Sequence, residues 1–292
     1  MSWRTVVVSN RCKLDLKLGY LVMRSEKGTK RVYLNEISII IIENTAISIT
    51  GCLLCELAAH KIKVIFCDNK RNPCSELVNY YGSHDCSRKI ERQINWNNYT
   101  KQLVWCEIVA EKIRKQSQLL RELDRLSEAN LLNEYINQIE LADATNREGH
   151  AAKVYFNGVF GMNFTRTADN AINAGLNYGY SLILSSFNRD IVANGYLTQL
   201  GIFHNNMFNR FNLSSDLMEP FRILIDRVVK KNNFNVFEKK QKLLLLDVLN
   251  QTVIIDGKEQ YVNNAIKIYC RSIFDAIEGN DLSLIKFYSY EL

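Results

Sequence analysis

Residues 100–126 read TKQLVWCEIVAEKIRKQSQLLRELDRL. Apolar side chains recur there at three- and four-residue spacing, uninterrupted by glycine or proline, which is the pattern of a long amphipathic helix. The residues before it keep another rhythm. LDLKLGYLVM (14–23), KRVYL (30–34), EISIIIIE (36–43) and KVIFC (63–67) are runs of strand length rich in β-branched and aromatic residues, which favour a pleated, half-buried surface. SEKGTKR (25–31) and GSHD (82–85) read as turns, and TGCLLCELAAH (50–60) as a single helix among the strands. After residue 126 the helical spacing persists, with no repeat or low-complexity tract. The change of period near residue 88 therefore divides the chain. The expected fold class is α+β: a small β-rich N-terminal domain over 1–87, a linker over 88–100, and a larger all-α domain over 101–292.

Composition narrows the function classes. A chain of 292 residues with 47% hydrophobic and 23% charged residues can bury a sizeable core and is not a disordered segment. The longest aliphatic run, ISIIII at 37–42, falls far short of the roughly 20 apolar residues that span a bilayer. MSWRTVVV at the start lacks the apolar core of a signal peptide. The expectation is a soluble, cytoplasmic protein with no membrane association. Its net charge of +6 is uneven: residues 1–93 hold 15 Lys+Arg against 9 Asp+Glu, and residues 94–292 hold 22 against 22. Such a surplus suits a polyanionic partner, or a merely solvated face. Cys52 and Cys55 form a CxxC near Cys67, Cys74, Cys86, His60 and His84, but no second CxxC or HxxxH completes a zinc spacing. At i and i+3 of a helix the pair is expected to be reduced thiols on a core-facing side, with a zinc protein as the alternative.

The polar groups that do not fit their surroundings lie in GIFHNNMFNRFNLSSDLMEPFR (201–222). Pro220 lacks an amide hydrogen and suits a first helical turn, so it sets a helix start near 216–219 that continues as PFRILIDRVVKK. Ser214, Ser215 or Asp216 would then be the N-cap and Glu219 a capping-box acid. A carboxylate at the positive end of a helix also stays ionised, which is what a hard divalent cation needs. His204 closes the apolar run YLTQLGIF and reads either as a structural residue or as a ligand. In NREGHAAKVYF (146–156) Glu148 shares a helical face with Ala151, Ala152 and Tyr155. A charge in that setting needs a partner, either Lys or Arg or a metal. Two carboxylates and an imidazole would suit Mg²⁺ or Mn²⁺ if they met in space. An ion with open positions could activate a hydroxyl and stabilise a phosphoryl transition state. No HExxH is present to suggest a zinc hydrolase.

REGHAAKVYF (147–156), LNYGYSLILSSFNRDIVANGYLTQLGIFH (176–204) and NRFNLSSDLMEPFRILID (209–226) together closely resemble the integrase of CRISPR adaptation, the first CRISPR-associated protein family. The compact length and the DLMEPFR form resemble its type II version. The resemblance implies metal-binding and catalytic roles for Glu148, His204 and Glu219, with Asp216 a secondary acid and Arg147, Lys153 and Arg222 candidates for DNA phosphate contact. It implies Mg²⁺ or Mn²⁺ as cofactor. It further implies a homodimer built through the β-rich domain, bridged by the second CRISPR-associated protein into a hetero-hexamer. That assembly would hold double-stranded prespacer DNA and join its 3′-hydroxyl ends to the CRISPR repeat by transesterification, or act as an endonuclease when water attacks, in antiviral defence. The alternative is a non-catalytic DNA-binding scaffold whose partner performs the chemistry.

Overall fold

A computed structural model of the chain describes residues 4–69, 71–77 and 83–290. Its first third holds β1 (Arg4–Val8), β2 (Lys13–Lys17), β3 (Tyr20–Ser25), β4 (Gly28–Tyr33), β5 (Ile37–Ile42), β6 (Ser48–Ile49), α1 (Gly51–Ala59), β7 (Lys63–Cys67) and β8 (Pro73–Leu77). One sheet has the order β1-β5-β7-β8 and the other β4-β3-β2-β6. In the first, β1, β5 and β7 run parallel and β8 closes the edge antiparallel. Pro73 opens that edge strand, where a missing ladder donor is tolerated. The run LDLKLGYLVM proves to be two strands. Leu18 and Gly19 take positive φ of 52° and 77°, a hairpin turn whose twist matches its strands. The turn expected over 25–31 tightens to Glu26–Lys27, and that over 82–85 is present at Ser83–Asp85, while Gly82 lies outside the described residues.

The ISIIII strand decides how the two parts of the chain meet. All six of its residues are buried, as in a strand covered on both faces. Ile40 and Ile42 pack with Val6, Val8, Leu14, Leu21, Leu53 and Leu57. Ile39 and Ile41 point the other way and join Ile65 and Cys67 in the core of the helical part. Each fully buried isoleucine contributes about 1.5–3 kcal/mol, so this sheet is strongly held from both sides. A polar chain reinforces the junction: Lys63 pairs with Glu76, Asn188 donates to Glu76 at 3.3 Å, and Ser214 donates to Asn188.

The remainder comprises α2 (Cys86–Ile94), α3 (Asn98–Glu122), α4 (Leu126–Ile136), α5 (Arg147–Phe160), α6 (Ala171–Ala193), α7 (Asn212–Leu217), α8 (Arg222–Lys231), α9 (Lys239–Asp247), β9 (Thr252–Ile255), β10 (Lys258–Tyr261) and α10 (Val262–Gly279). The helix over the expected linker is docked. Gln93 donates to the Leu197 and Leu200 carbonyls and accepts from the Leu197 amide. The long helix α3 is capped by Asn97, whose side chain accepts from the Tyr99 and Thr100 amides. From Val104 to Leu120 most of its residues are buried, so it is the central rod of the helical part. The expectation of an all-α domain is corrected by the β9–β10 hairpin, which turns at Asp256 and Gly257 with φ of 53° and 69°. The Asp-Gly pair between TVII and KEQY is a hairpin signal in the sequence.

Two further expectations fail. Cys52 and Cys55 are exposed, because α1 buries Leu53 and Leu57 instead. Among the described residues no three Asp, Glu, His or Cys side chains gather as a metal group around them or elsewhere. The capping reading of 214–219 also fails. Ser214, Ser215 and Asp216 lie within α7, Glu219–Phe221 forms a 3₁₀ turn, and α8 begins at Arg222 without a side-chain cap.

Candidate active site

Glu148 sits in the first turn of α5, which is secured by side chains from the preceding turn. Asp143 accepts from the Arg147 and Glu148 amides at 2.8 and 3.0 Å, and Asn146 caps through the Gly149 amide at 3.2 Å. These bonds satisfy donors that a helix start leaves without partners. The backbone that delivers them takes positive φ at Ala142, Asp143 and Asn146.

His204 is held by Asp216 across twelve residues of sequence. The Asp216 carboxylate is fully buried and accepts from the amides of Ile202, Phe203 and His204 at 2.6, 3.0 and 3.0 Å. It also meets His204 Nδ1 at 2.5 Å. With Nδ1 donating to a carboxylate, Nε2 is the ring nitrogen left for a ligand. Gly201 makes this nest possible, since a Cβ there would strike the His204 carbonyl and Asp216 Oδ2. Trp105 of α3 packs edge-on against the imidazole with 5.7 Å between centroids. The Asp216 hydrogen bond raises the His204 pKa above its ordinary value, and the charges of Glu219 and Glu148 add to it. All three candidate residues are thus within electrostatic reach of one another.

Glu219 is 3% exposed. Its Oε2 lies 2.5 Å from Lys112 Nζ, and Arg222 reaches Oε1 at 2.8 Å. Burial by itself would raise the Glu219 pKa, but Arg222 and Lys112 outweigh it and hold the carboxyl below the usual range. The same ammonium donates to Glu148 Oε1 at 2.5 Å. Two carboxylates from separate elements therefore converge on one cation. The turn is braced from behind, where the Tyr288 hydroxyl donates to the Pro220 carbonyl at 2.9 Å and Lys115 holds the Tyr288 carbonyl at 2.5 Å.

Glu148 and Glu219 thus meet through Lys112, and His204, with Asp216 behind it, feels the charge of both without the three closing into a ligand cluster. Arg222 joins the cluster and lies over the Tyr180 ring at 5.0 Å. Arg147 lies over Tyr135 at 5.6 Å, while Lys153 is exposed on α5. Sequence reasoning missed Lys112 and Asp143. Lys112 had left a signal: seven residues after Trp105, it occupies a position where the apolar stripe of α3 calls for a hydrophobe. The paired carboxylates are the oxygen donor set of a hard divalent ion, and they already build a cation position. The chemistry fits such an ion, with Lys112 as the cation they hold in this structure.

Behind this cluster Asp226 is buried between two tyrosines, accepting from Tyr155 at 2.8 Å and Tyr180 at 2.5 Å. Burial pushes its carboxyl up to about 6, against those hydrogen bonds and the charges of Arg222 and Arg166. A carboxyl raised on folding stabilises below its unfolded pKa and loses that contribution as pH rises through the folded value. Asp226→Asn does not titrate. Urea unfolding should therefore show the variant gaining about 2 kcal/mol relative to wild type between pH 4.5 and 7. A difference independent of pH would contradict the raised carboxyl.

The arrangement defines a class: an α+β chain whose β-rich start packs on a helical bundle that gathers two glutamates, a carboxylate-held histidine and an arginine. Residues 5–247 match the family described as CRISPR associated protein Cas1, and the chain belongs to that family. It is 35% identical over 229 residues to a CRISPR-associated endonuclease Cas1 of Neisseria meningitidis, covering 78% of this chain and 75% of that protein. Among solved structures, a Cas1 protein of Thermotoga maritima superposes with a TM-score of 0.76 at 18% identity, over 94% of this chain and 97% of the other. A casposase bound to its integration product does so with 0.72 at 17% identity, over 97% and 92%. These two likenesses establish a shared fold. Among the described residues no helix is long and apolar enough to cross a membrane.

Proposed function

We propose that this Cas1-family chain is a metal-dependent DNA integrase and endonuclease, with Glu148, Glu219 and His204 as its catalytic metal ligands. The observation that carries the reading is the convergence of Glu148 and Glu219 on a single cation beside a histidine whose Nδ1 is already engaged. A divalent cation such as Mg²⁺ or Mn²⁺, when bound, would supply Lewis-acid stabilisation of a phosphoryl group. The chain's own contribution is positional. Asp216 fixes the imidazole, Asp143 fixes the start of α5, and Tyr288 braces the Pro220 turn.

In the reaction a 3′-hydroxyl oxygen bonds to phosphorus as the bond from phosphorus to the leaving oxygen breaks. The proton lost by the attacking hydroxyl is matched by one gained at the leaving group, and one phosphodiester replaces another. Arg222, one-third exposed at the cluster, is placed to meet a phosphate oxygen, with Arg147 at the start of α5 and Lys153 farther along it. The substrates follow from the family: double-stranded prespacer and repeat DNA, handled by a homodimer together with the second CRISPR-associated protein. The DLMEPFR form supports the type II version of the family. The basic surplus in residues 1–93 suits backbone contacts that weaken with salt.

The test is joining of a labelled duplex to a plasmid carrying leader and repeat, with the purified partner, in Mg²⁺, Mn²⁺ or EDTA. Joining in either metal and none in EDTA is the expected result. Duplex binding with no joining or cutting under any metal would favour a DNA-binding scaffold instead.

A further inference from the structure

Lys112 is the unexpected member of the cluster. It projects from the middle of α3, buried, with its ammonium 2.5 Å from one oxygen each of Glu148 and Glu219. Among the described residues these carboxylates are the only groups that its ammonium pairs with. An ion held by the same two oxygens at about 2.1 Å would overlap the lysine nitrogen. The charges here balance, with Glu148 and Glu219 against Lys112 and Arg222. Arg222 is further fixed over Tyr180, whereas Lys112 is a point charge on a flexible four-carbon stem. One of the two cations can leave without disturbing a stacked ring, and it is the lysine.

We propose that Lys112 is a resident counter-ion of the metal site: its ammonium holds Glu148 and Glu219 together in the metal-free protein and withdraws when a divalent cation enters. This rests on the metal-site reading above. Lys112 thereby positions both ligands before the ion arrives, and it sets how tightly the ion binds, because every binding event displaces it. Without the lysine, Arg222 alone would offset two neighbouring buried carboxylates, and an entering ion would supply the missing positive charge.

The experiment is Mn²⁺ binding to the purified full-length protein, read from the electron paramagnetic resonance of the free ion, with melting temperatures in EDTA and in Mn²⁺. Lys112→Met should bind Mn²⁺ at least tenfold more tightly than wild type, melt lower in EDTA, and regain the difference when Mn²⁺ is added. Lys112→Gln carries the same expectation should the methionine variant not fold. Glu148→Gln should lose Mn²⁺ binding. Unchanged or weaker binding by the lysine variants, with binding lost in Glu148→Gln, would overturn the counter-ion role and leave the metal site standing. Wild-type binding by Glu148→Gln would remove the metal site and this inference together.

Discussion

Replacing Glu219 with glutamine is expected to lower DNA strand transfer about a thousandfold or more, since a metal's Lewis-acid contribution is worth several kcal/mol and each 1.4 kcal/mol is a factor of ten. Glutamine keeps the size of the side chain and one carbonyl oxygen, so the loss would report charge rather than shape. The stability change separates this from simple unfolding. Glu219 is buried between Lys112 and Arg222, and removing one member of a buried ion cluster costs about 3–5 kcal/mol when the rest are left without charge partners. Here Lys112 keeps Glu148, so the loss should fall at the lower end of that range. Circular dichroism melts would therefore show a folded, somewhat weakened protein in which joining is absent. Joining at wild-type rate by that folded variant would remove Glu219 from the reaction.

The second large effect is expected at Asp216. Three backbone amides and the His204 ring all end on this one carboxylate. Asp216→Asn places an amide group among donors that need an acceptor, and each unsatisfied buried donor costs about 1–3 kcal/mol. A loss of about 3 kcal/mol in urea unfolding is the expected outcome. Strand transfer should fall by about 10–100-fold beyond any loss of folded protein, the usual effect of removing the group behind a metal-ligating histidine. Mn²⁺ affinity should fall with it, which a purely structural role would not require. Full activity and affinity in a destabilised variant would reduce Asp216 to a loop anchor.

The candidate acids were legible because each is a polar group out of keeping with its neighbours: Glu148 beside two alanines and a tyrosine, Glu219 beside one of only two prolines. What they do was less legible. Local pattern made Asp216 and Glu219 caps of a helix beginning at Pro220, since capping is the short-range use of such residues. The partners that won lie far away in sequence: backbone amides at 202–204 for Asp216, and α3 for Glu219. Lys112 was hidden by its own stripe, because a periodic reading counts the hydrophobes around a position and passes over the exception. The strands of the first third were visible from their β-branched runs, yet the hairpin at Leu18–Gly19 passed for a continuous strand. A CxxC drew attention to α1, while the two leucines beside the cysteines determined which side faced inward.

The brace behind Pro220 gives the chain an order of assembly. Glu148, His204, Asp216 and Glu219 are all present once about three-quarters of the chain exists. The Tyr288 hydroxyl that holds the Pro220 carbonyl comes some seventy residues later, and its segment is stitched to β9 through paired bonds between Ser289 and Ile254. A chain cut short before residue 288 would carry every candidate ligand but lack the strut beneath one of them. The far end of the sequence thus acts as the keystone of a site that contains none of its residues.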